Sequence, residues 1–206
     1  PTRAMADPRM HIYFASQSGT AQYFAEELQD EASEHSIAAE VIDLAAFSDV
    51  EFAAHKVVVL VVSTYGDGDP PDNAISFHRW ACDAQNDGLL KGQRFCVMAL
   101  GDMNYINFCG MGVITDANLE RMGSKRIYQR GMGDDGSDLI GDFKKWRSGG
   151  LWDSIKNAIA EVEVEEAQSL GGAPKPALAA GFAYKDVYLY FGHEEEGGAA
   201  RDVCEE

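Results

Sequence analysis

The run Lys56 to Val62, Lys-Val-Val-Val-Leu-Val-Val, limits the possible folds more than any other stretch of the chain. A strand with one wet face alternates apolar and polar residues. This one does not, so both of its faces have to be covered, as in the centre of a parallel sheet. Parallel neighbours need long crossover connections, usually helices. The rest of the sequence supplies them in alternation. Further strands are expected at Ile12–Ala15, Ala39–Asp43, Phe95–Leu100 and Arg126–Gln129. Helices are expected over residues 20–34, 73–81, 109–121, 138–147 and 151–166. In the first of these, Ala21, Phe24, Ala25, Leu28 and Ala32 recur at the spacing of one buried helical face, with Glu26, Glu27 and Glu31 between them. In the last, Leu151, Trp152, Ile155, Ala158, Ile159 and Val162 form such a face.

Alternating strands and helices make an α/β domain. The number of strands suits a three-layer sandwich: helices on both faces of a five-stranded parallel sheet in the order 2-1-3-4-5, the flavodoxin-like arrangement. In that order the first, third and fourth strands are neighbours. Their C-terminal loops meet in one crevice, where the strand order reverses and open α/β sheets bind ligands.

The loop after the first strand is Ser16-Gln17-Ser18-Gly19-Thr20, and a helix follows at once. The first N–H groups of a helix lack internal partners and carry the positive end of its dipole. Hydroxyls from Ser16, Ser18 and Thr20, with the close approach that Gly19 allows, complete a site for an anion. The loop is neither a Walker Gly-Lys-Ser/Thr nor a Gly-x-Gly-x-x-Gly, so a phosphate would be held without a cation. An ordinary helix cap by Ser18 or Thr20 is the alternative use of the same residues. The second loop, Ser63 to Pro71, contains Tyr65, Gly66 and Gly68, and the third, Gly101 to Phe108, contains Tyr105. Two tyrosines from separate loops can sandwich a flat ring, and glycines let backbone groups reach its polar edge. A phosphate at one end and a planar heterocycle between aromatics describe flavin mononucleotide, FMN.

Charge narrows the partners. The formal net charge is −17. It argues against nucleic acid and anionic membrane, and for a basic protein or a cationic ligand. Cys82, Cys96, Cys109 and Cys204 form no Cys-x-x-Cys pair and no zinc-type cluster with the scattered histidines, so no metal site is expected. Cys96 lies in an apolar run and reads as a core thiol. Reduced cysteines suit an intracellular protein. No signal peptide or apolar stretch of membrane length is present. Residues 1–10 read as an N-terminal extension or expression scar, and 11–168 as the FMN-binding domain. Residues 169–206 read as a linker or tail toward a further domain, with Phe182–Phe191 as one more possible strand.

Taken in order, Ser16 to Thr20, Ser63 to Pro70, Leu100 to Phe108 and Gly131 to Asp135 resemble the FMN-binding domain of the diflavin reductases, of the NADPH–cytochrome P-450 reductase type. Leu119 to Asp135, Asp142 to Trp146 and Leu151-Trp152 follow the same pattern, so the resemblance covers Ile12 to Ile159. Any one motif is unspecific; the ordered set is specific. The resemblance implies phosphate contacts from Ser16, Gln17, Ser18, Gly19 and Thr20, with Ala21 beside them. It implies ring stacking by Tyr65 and Tyr105, with Gly66 near the redox-active nitrogen. Ser63, Thr64, Asp67 and Gly68 are further implied contacts from the second loop. Leu100, Gly101, Asp102, Asn104, Phe108 and Cys109 are those from the third, and Asp135, or its neighbour Asp134, comes from the fourth motif.

The resemblance also implies a role. Electrons would pass singly from FMN to a basic haem protein, having come from NADPH through FAD in a module outside this sequence. Asp67, Asp69, Asp102, Asp134, Asp135, Asp138 and Asp142 would rim the flavin edge and steer that acceptor. If the parent protein has the family's membrane anchor, it would sit on the cytoplasmic face of the endoplasmic reticulum. Met103, Ile106 and Asn107 depart from the family pattern, which usually has an acidic residue and a histidine at the last two positions. A free-standing flavodoxin-type carrier and a self-sufficient NAD(P)H:quinone flavoenzyme are the alternatives on the same fold.

Overall fold

The computed structural model describes residues 9–169. The expectations for the first eight residues, for the linker after Ser169 and for Phe182–Phe191 lie outside the described residues. Strands β1 (Met10–Ala15), β2 (Ala39–Asp43), β3 (Val57–Ser63) and β4 (Arg94–Gly101) run parallel, in the order β2-β1-β3-β4. The next position is filled in two pieces. β5 (Lys125–Arg126) pairs with the start of β4, and β6 (Gly131–Asp134) pairs with its end. The order 2-1-3-4-5 therefore holds, with six strands among the described residues instead of five.

The split explains why Arg126–Gln129 was the expected strand and β6 was not. β6 reads Gly-Met-Gly-Asp, a composition depleted in strands. Its glycines answer to crowding. A Cβ on Gly131 would stand 2.3 Å from the Met98 sulfur, and one on Gly133 2.6 Å from Leu139 Cδ1. Both distances are far inside van der Waals contact; at Gly133 the Leu139 side-chain end can give way, but at Gly131 the Trp146 ring also stands 2.7 Å away, so glycine there lets α5 and β4 close on this strand.

The helices are α1 (Thr20–Glu34), α2 (Asp49–Ala54), α3 (Ile75–Cys82), α4 (Gly110–Arg121), α5 (Leu139–Ser148) and α6 (Leu151–Ser169). α3 is preceded by a 3-10 turn, Asp72–Ala74, over the residues expected to start it. α2 has too few residues to show a period. Its signal is the capping pair Ser48 and Glu51: the Ser48 hydroxyl accepts from the Glu51 N–H at 3.4 Å.

β3 is covered on both faces, as its composition demands. Val57, Val59 and Val61 join Phe24, Phe143, Trp146 and Trp152 under α1, α5 and α6. Val58, Leu60 and Val62 join Phe52, Phe77, Met111 and Leu119 under α2, α3 and α4. Each large apolar side chain so buried contributes about 1.5–3 kcal/mol. Cys96 is a fully buried core thiol, and burial pushes its pKa far up.

Ion pairs fasten α6 to the edge of the sheet where the strands begin. Arg94, at the start of β4, meets Glu161 and Glu165. Lys125 meets Glu161, and Arg9 meets Glu163 and Glu166. The loops that leave β1, β3, β4 and β6 all open on the other edge, because the strands are parallel.

Candidate functional site

Those loops enclose a cleft of about 530 Å³, a size usual for a small-molecule site. The first loop turns into α1 through Gly19, which caps the helix with φ 95°, so neither Ser18 nor Thr20 is the cap. Ser16 supplies the capping oxygen from further back. Its hydroxyl accepts from the N–H groups of Gly19 at 2.9 Å and Ala21 at 3.3 Å. The Ser16 N–H donates to Asn73 at 3.1 Å. The Gln17 side chain is clasped by Asp72, donating to its carboxylate at 3.2 Å and accepting from its N–H at 3.1 Å. Among the described residues nothing accepts from the N–H groups of Gln17, Ser18, Thr20 or Gln22. The Ser18 and Thr20 hydroxyls lie 3.3 Å apart on the cleft wall. Four open N–H groups and two hydroxyls at the positive end of a helix make an anion cradle.

The second loop is a small closed ring of chain. Tyr65 and Asp69 exchange backbone hydrogen bonds, both 2.9 Å, around Gly66 and Gly68 at positive φ. The Thr64 N–H donates to the Leu100 carbonyl at 2.9 Å, and Ser63 donates to the Ala15 carbonyl at 2.9 Å. The third loop is joined to the second by Asn107, whose amide donates to the Asp67 carbonyl at 2.8 Å. The tyrosine rings of these two loops face the same cleft. They are 52% and 56% exposed and, among the described residues, stack on no other aromatic. Two half-exposed rings without partners, on one cleft with an anion cradle, can grip a flat anionic molecule from its plane and its tail.

Thirteen of the twenty residues expected at the site line this cleft. They are Gln17, Ser18 and Thr20; Ser63, Thr64, Tyr65 and Gly66; Leu100, Gly101, Asp102, Tyr105 and Cys109; and Asp135. Ser16, Gly19, Ala21, Asp67, Gly68, Asn104 and Phe108 are not on its wall. Ser16, Gly19 and Ala21 build the first turn from behind, and Asp67 and Gly68 are the underside of the second loop held by Asn107. Asn104 folds onto Asp102, to which its side-chain amide donates at 2.8 Å. Between the two neighbouring aspartates, Asp135 is on the wall. The Asp134 carboxylate is buried and accepts from the N–H groups of Met103 at 2.9 Å and Gly136 at 3.0 Å. Asn107 and Leu139 also line the cleft and were not expected there. Asn107 shares a loop with Tyr105, which is its only signal. Leu139 opens α5 and carries none.

Cys109 forms part of the floor in a left-handed backbone conformation, φ 55°. Burial pushes its thiol up to about 12, so it stays protonated, donating to the Ala99 carbonyl at 3.4 Å. The charged side chains on the four loops, 16–20, 63–73, 100–109 and 131–142, are eight aspartates, with no lysine, arginine or glutamate. Among the described residues no cluster suits a metal ion, and no helix is long and apolar enough to cross a membrane.

Residues 12–146 match the family model described as flavodoxin. The proteins named NADPH–cytochrome P-450 reductase from Salmo trutta and Homo sapiens are each 38% identical over 141 residues. Those matches cover 66% of this chain, and 23% and 20% of the two relatives. The chain thus spans about a fifth of the length of the curated relatives it matches. A cysteine-to-alanine variant of the flavodoxin from Pseudomonas aeruginosa superposes with TM-score 0.61 at 21% identity, over 71% of this chain and 98% of that one. A flavodoxin of Streptococcus pneumonia TIGR4 gives 0.60 at 21%, over 74% and 98%. The sheet order, the loop set at its C-terminal edge and the match across Ile12 to Trp146 agree, and the chain belongs to the flavodoxin family.

Proposed function

We propose that the cleft binds FMN and that the chain is the FMN-bearing electron-transfer module of a diflavin reductase. The observation that carries this reading is the convergence of two unstacked tyrosine rings and an anion cradle on a single cleft. The N–H groups of Gln17, Ser18, Thr20 and Gln22 would hold the phosphate. Each such bond to a charged group is worth about 1.5–3 kcal/mol, which makes up for the missing cation. Tyr65 and Tyr105 would flank the ring and keep water from its faces. Gly66, whose backbone faces the cleft, would meet the polar ring edge. Bound there, FMN supplies the exchange of single electrons. The chain's own residues position it, and the aspartates around it disfavour added negative charge on the reduced ring.

The domain of residues 11–168 would receive electrons from a module that binds FAD and NADPH in the same parent polypeptide, as the resemblance to the diflavin reductases implies, and deliver them to a haem protein, in line with the cytochrome and NADPH in the relatives' name. Buried unpaired thiols at Cys96 and Cys109 suit a reducing compartment, the cytoplasm or the cytoplasmic face of an intracellular membrane. A free-standing carrier on the same fold is the second reading.

The purified chain should take up one FMN and turn yellow, retaining the flavin spectrum after gel filtration. A chain that stays colourless with added FMN refutes the proposal. Dithionite should bleach the loaded chain and NADPH alone should not. Bleaching by NADPH would make it a self-sufficient flavoenzyme.

A further inference from the structure

A second cavity lies at the opposite edge of the sheet, where the strands begin, and the proposed function makes no use of it. It holds about 180 Å³, less than the site of a drug-sized ligand and enough for a molecule of a few carbons. Its lining is partly polar. The His11 ring lines it at 8% exposure and makes no hydrogen bond among the described residues. The Nδ1 atom of that ring is wholly enclosed. An enclosed N–H without a partner is rarer than an enclosed lone pair, which assigns the ring proton to Nε2. His55 stacks on His11, with ring centroids 3.4 Å apart, and lines the same cavity. Tyr13 is buried and its hydroxyl has no other partner, so it donates to His55 Nδ1 at 2.9 Å. The proton of that ring is then on Nε2 as well. Burial lowers both imidazole pKa values, so the rings are neutral at pH 7 and each has one N–H to offer.

Charge comes from Arg9, Lys56 and Glu166. Among the described residues Lys56 forms no ion pair, whereas Arg94 and Lys125 are engaged by Glu161 and Glu165. Arg9 reaches Glu166 only at 3.5 Å and Glu163 only at 3.7 Å, through half-exposed side chains, and pairs of that kind are weak. Glu40 and Glu51, whose charges act on His55, do not line the cavity. Val57, Ile159 and Val162 supply an apolar wall. An unpaired ammonium, a loosely held guanidinium and spare imidazole N–H groups beside such a wall suit a carboxylate on a small apolar body. We propose that this cavity binds a small aliphatic monocarboxylate. Its oxygens meet Arg9, Lys56 and the imidazole N–H groups, and its carbons lie on Val57, Ile159 and Val162. Bound there, it ties α6 to the starts of β1 and β3, and Glu166 competes with it for Arg9. The inference does not rest on the FMN reading of the cleft.

The test is a titration with isobutyrate at constant ionic strength, with and without added FMN, read from the NMR signals of the His11 and His55 rings. Both rings should shift and saturate in the millimolar range, alike in the two series. Arg9→Gln and Lys56→Gln should each weaken binding by about threefold to tenfold, and Glu166→Gln should tighten it by about threefold. These three side chains are exposed, so their replacement leaves the core intact. Isobutyramide, which has the same shape without the charge, should bind about tenfold more weakly. Ring signals that isobutyrate does not move overturn the proposal. So do Arg9→Gln and Lys56→Gln variants that both bind like the parent, or an amide that binds as well as the acid. Ring shifts abolished by FMN overturn it too, because they would put the carboxylate in the anion cradle of the cleft.

Discussion

Tyr105 is half-exposed, stacks on nothing and lines the cleft. If it covers one face of FMN, Tyr105→Ala should weaken FMN binding by about 1–2 kcal/mol, roughly 5–30-fold in Kd. Quenching of flavin fluorescence on titration measures this, and an unchanged Kd removes Tyr105 from the site. Ser16 works from behind the loop. Ser16→Ala leaves the N–H groups of Gly19 and Ala21 without their acceptor, and should cost about 0.5–2 kcal/mol in urea unfolding, with Ser16→Thr recovering most of it. The loop residues were legible because a strand, a hydroxyl-rich turn and a helix follow one another within ten residues. The separate roles within the loop were not. The clasp on Gln17 comes from Asp72, and the bond that holds the Ser16 N–H comes from Asn73. Both are distant in sequence, and no local pattern encodes them.

At the scale of elements, every strand that buries apolar side chains was visible as an apolar run. β6 was hidden because crowding by Met98, Leu139 and Trp146 forces it to use glycine. Gly131→Ala should therefore destabilise the fold by about 1–3 kcal/mol, from overpacking alone, with the thermal midpoint falling accordingly. A neutral result would mean that α5 can shift away from the sheet. That shift would move Leu139 on the cleft wall, so the FMN affinity of the same variant tells whether the element is free to slide. α2 was missed for a different reason: six residues are too few for a period, and only its Ser48–Glu51 cap announces it.

The molecule as a whole responds to pH through a pair of stacked histidines away from the cleft. The rings of His11 and His55 lie 3.4 Å apart and nearly parallel, and Tyr13 shares a hydrogen bond of 2.9 Å with His55. Burial, and then the charge of His55, lowers the His11 pKa to about 4. Burial also lowers that of His55, against the pull of Glu40 and Glu51. The unfolded chain takes up these protons near pH 6.5, before the folded one does. Stability is thus complete above about pH 6.5 and falls as pH drops toward 4, by about 3 kcal/mol from His11. Urea midpoints should begin to fall near pH 6, above the range of carboxylates, and His11→Asn should remove that early part. The net charge has its own signature. Reduction of a basic acceptor by the loaded chain should slow about tenfold between low and physiological salt, as screening shortens the reach of the aspartates. Finally, the cations at Arg9, Arg94 and Lys125 pin the last turns of α6 at the pole of the domain where the strands start. A strand the length of β4 puts that pole about 25 Å from the cleft. A donor joined beyond α6, as the proposed function has it, would start from this pole and would have to reach around the body to the cleft. If the proposed function holds, the reach from that pole to the cleft would limit how fast electrons arrive, and the loops around the cleft would stay open between deliveries.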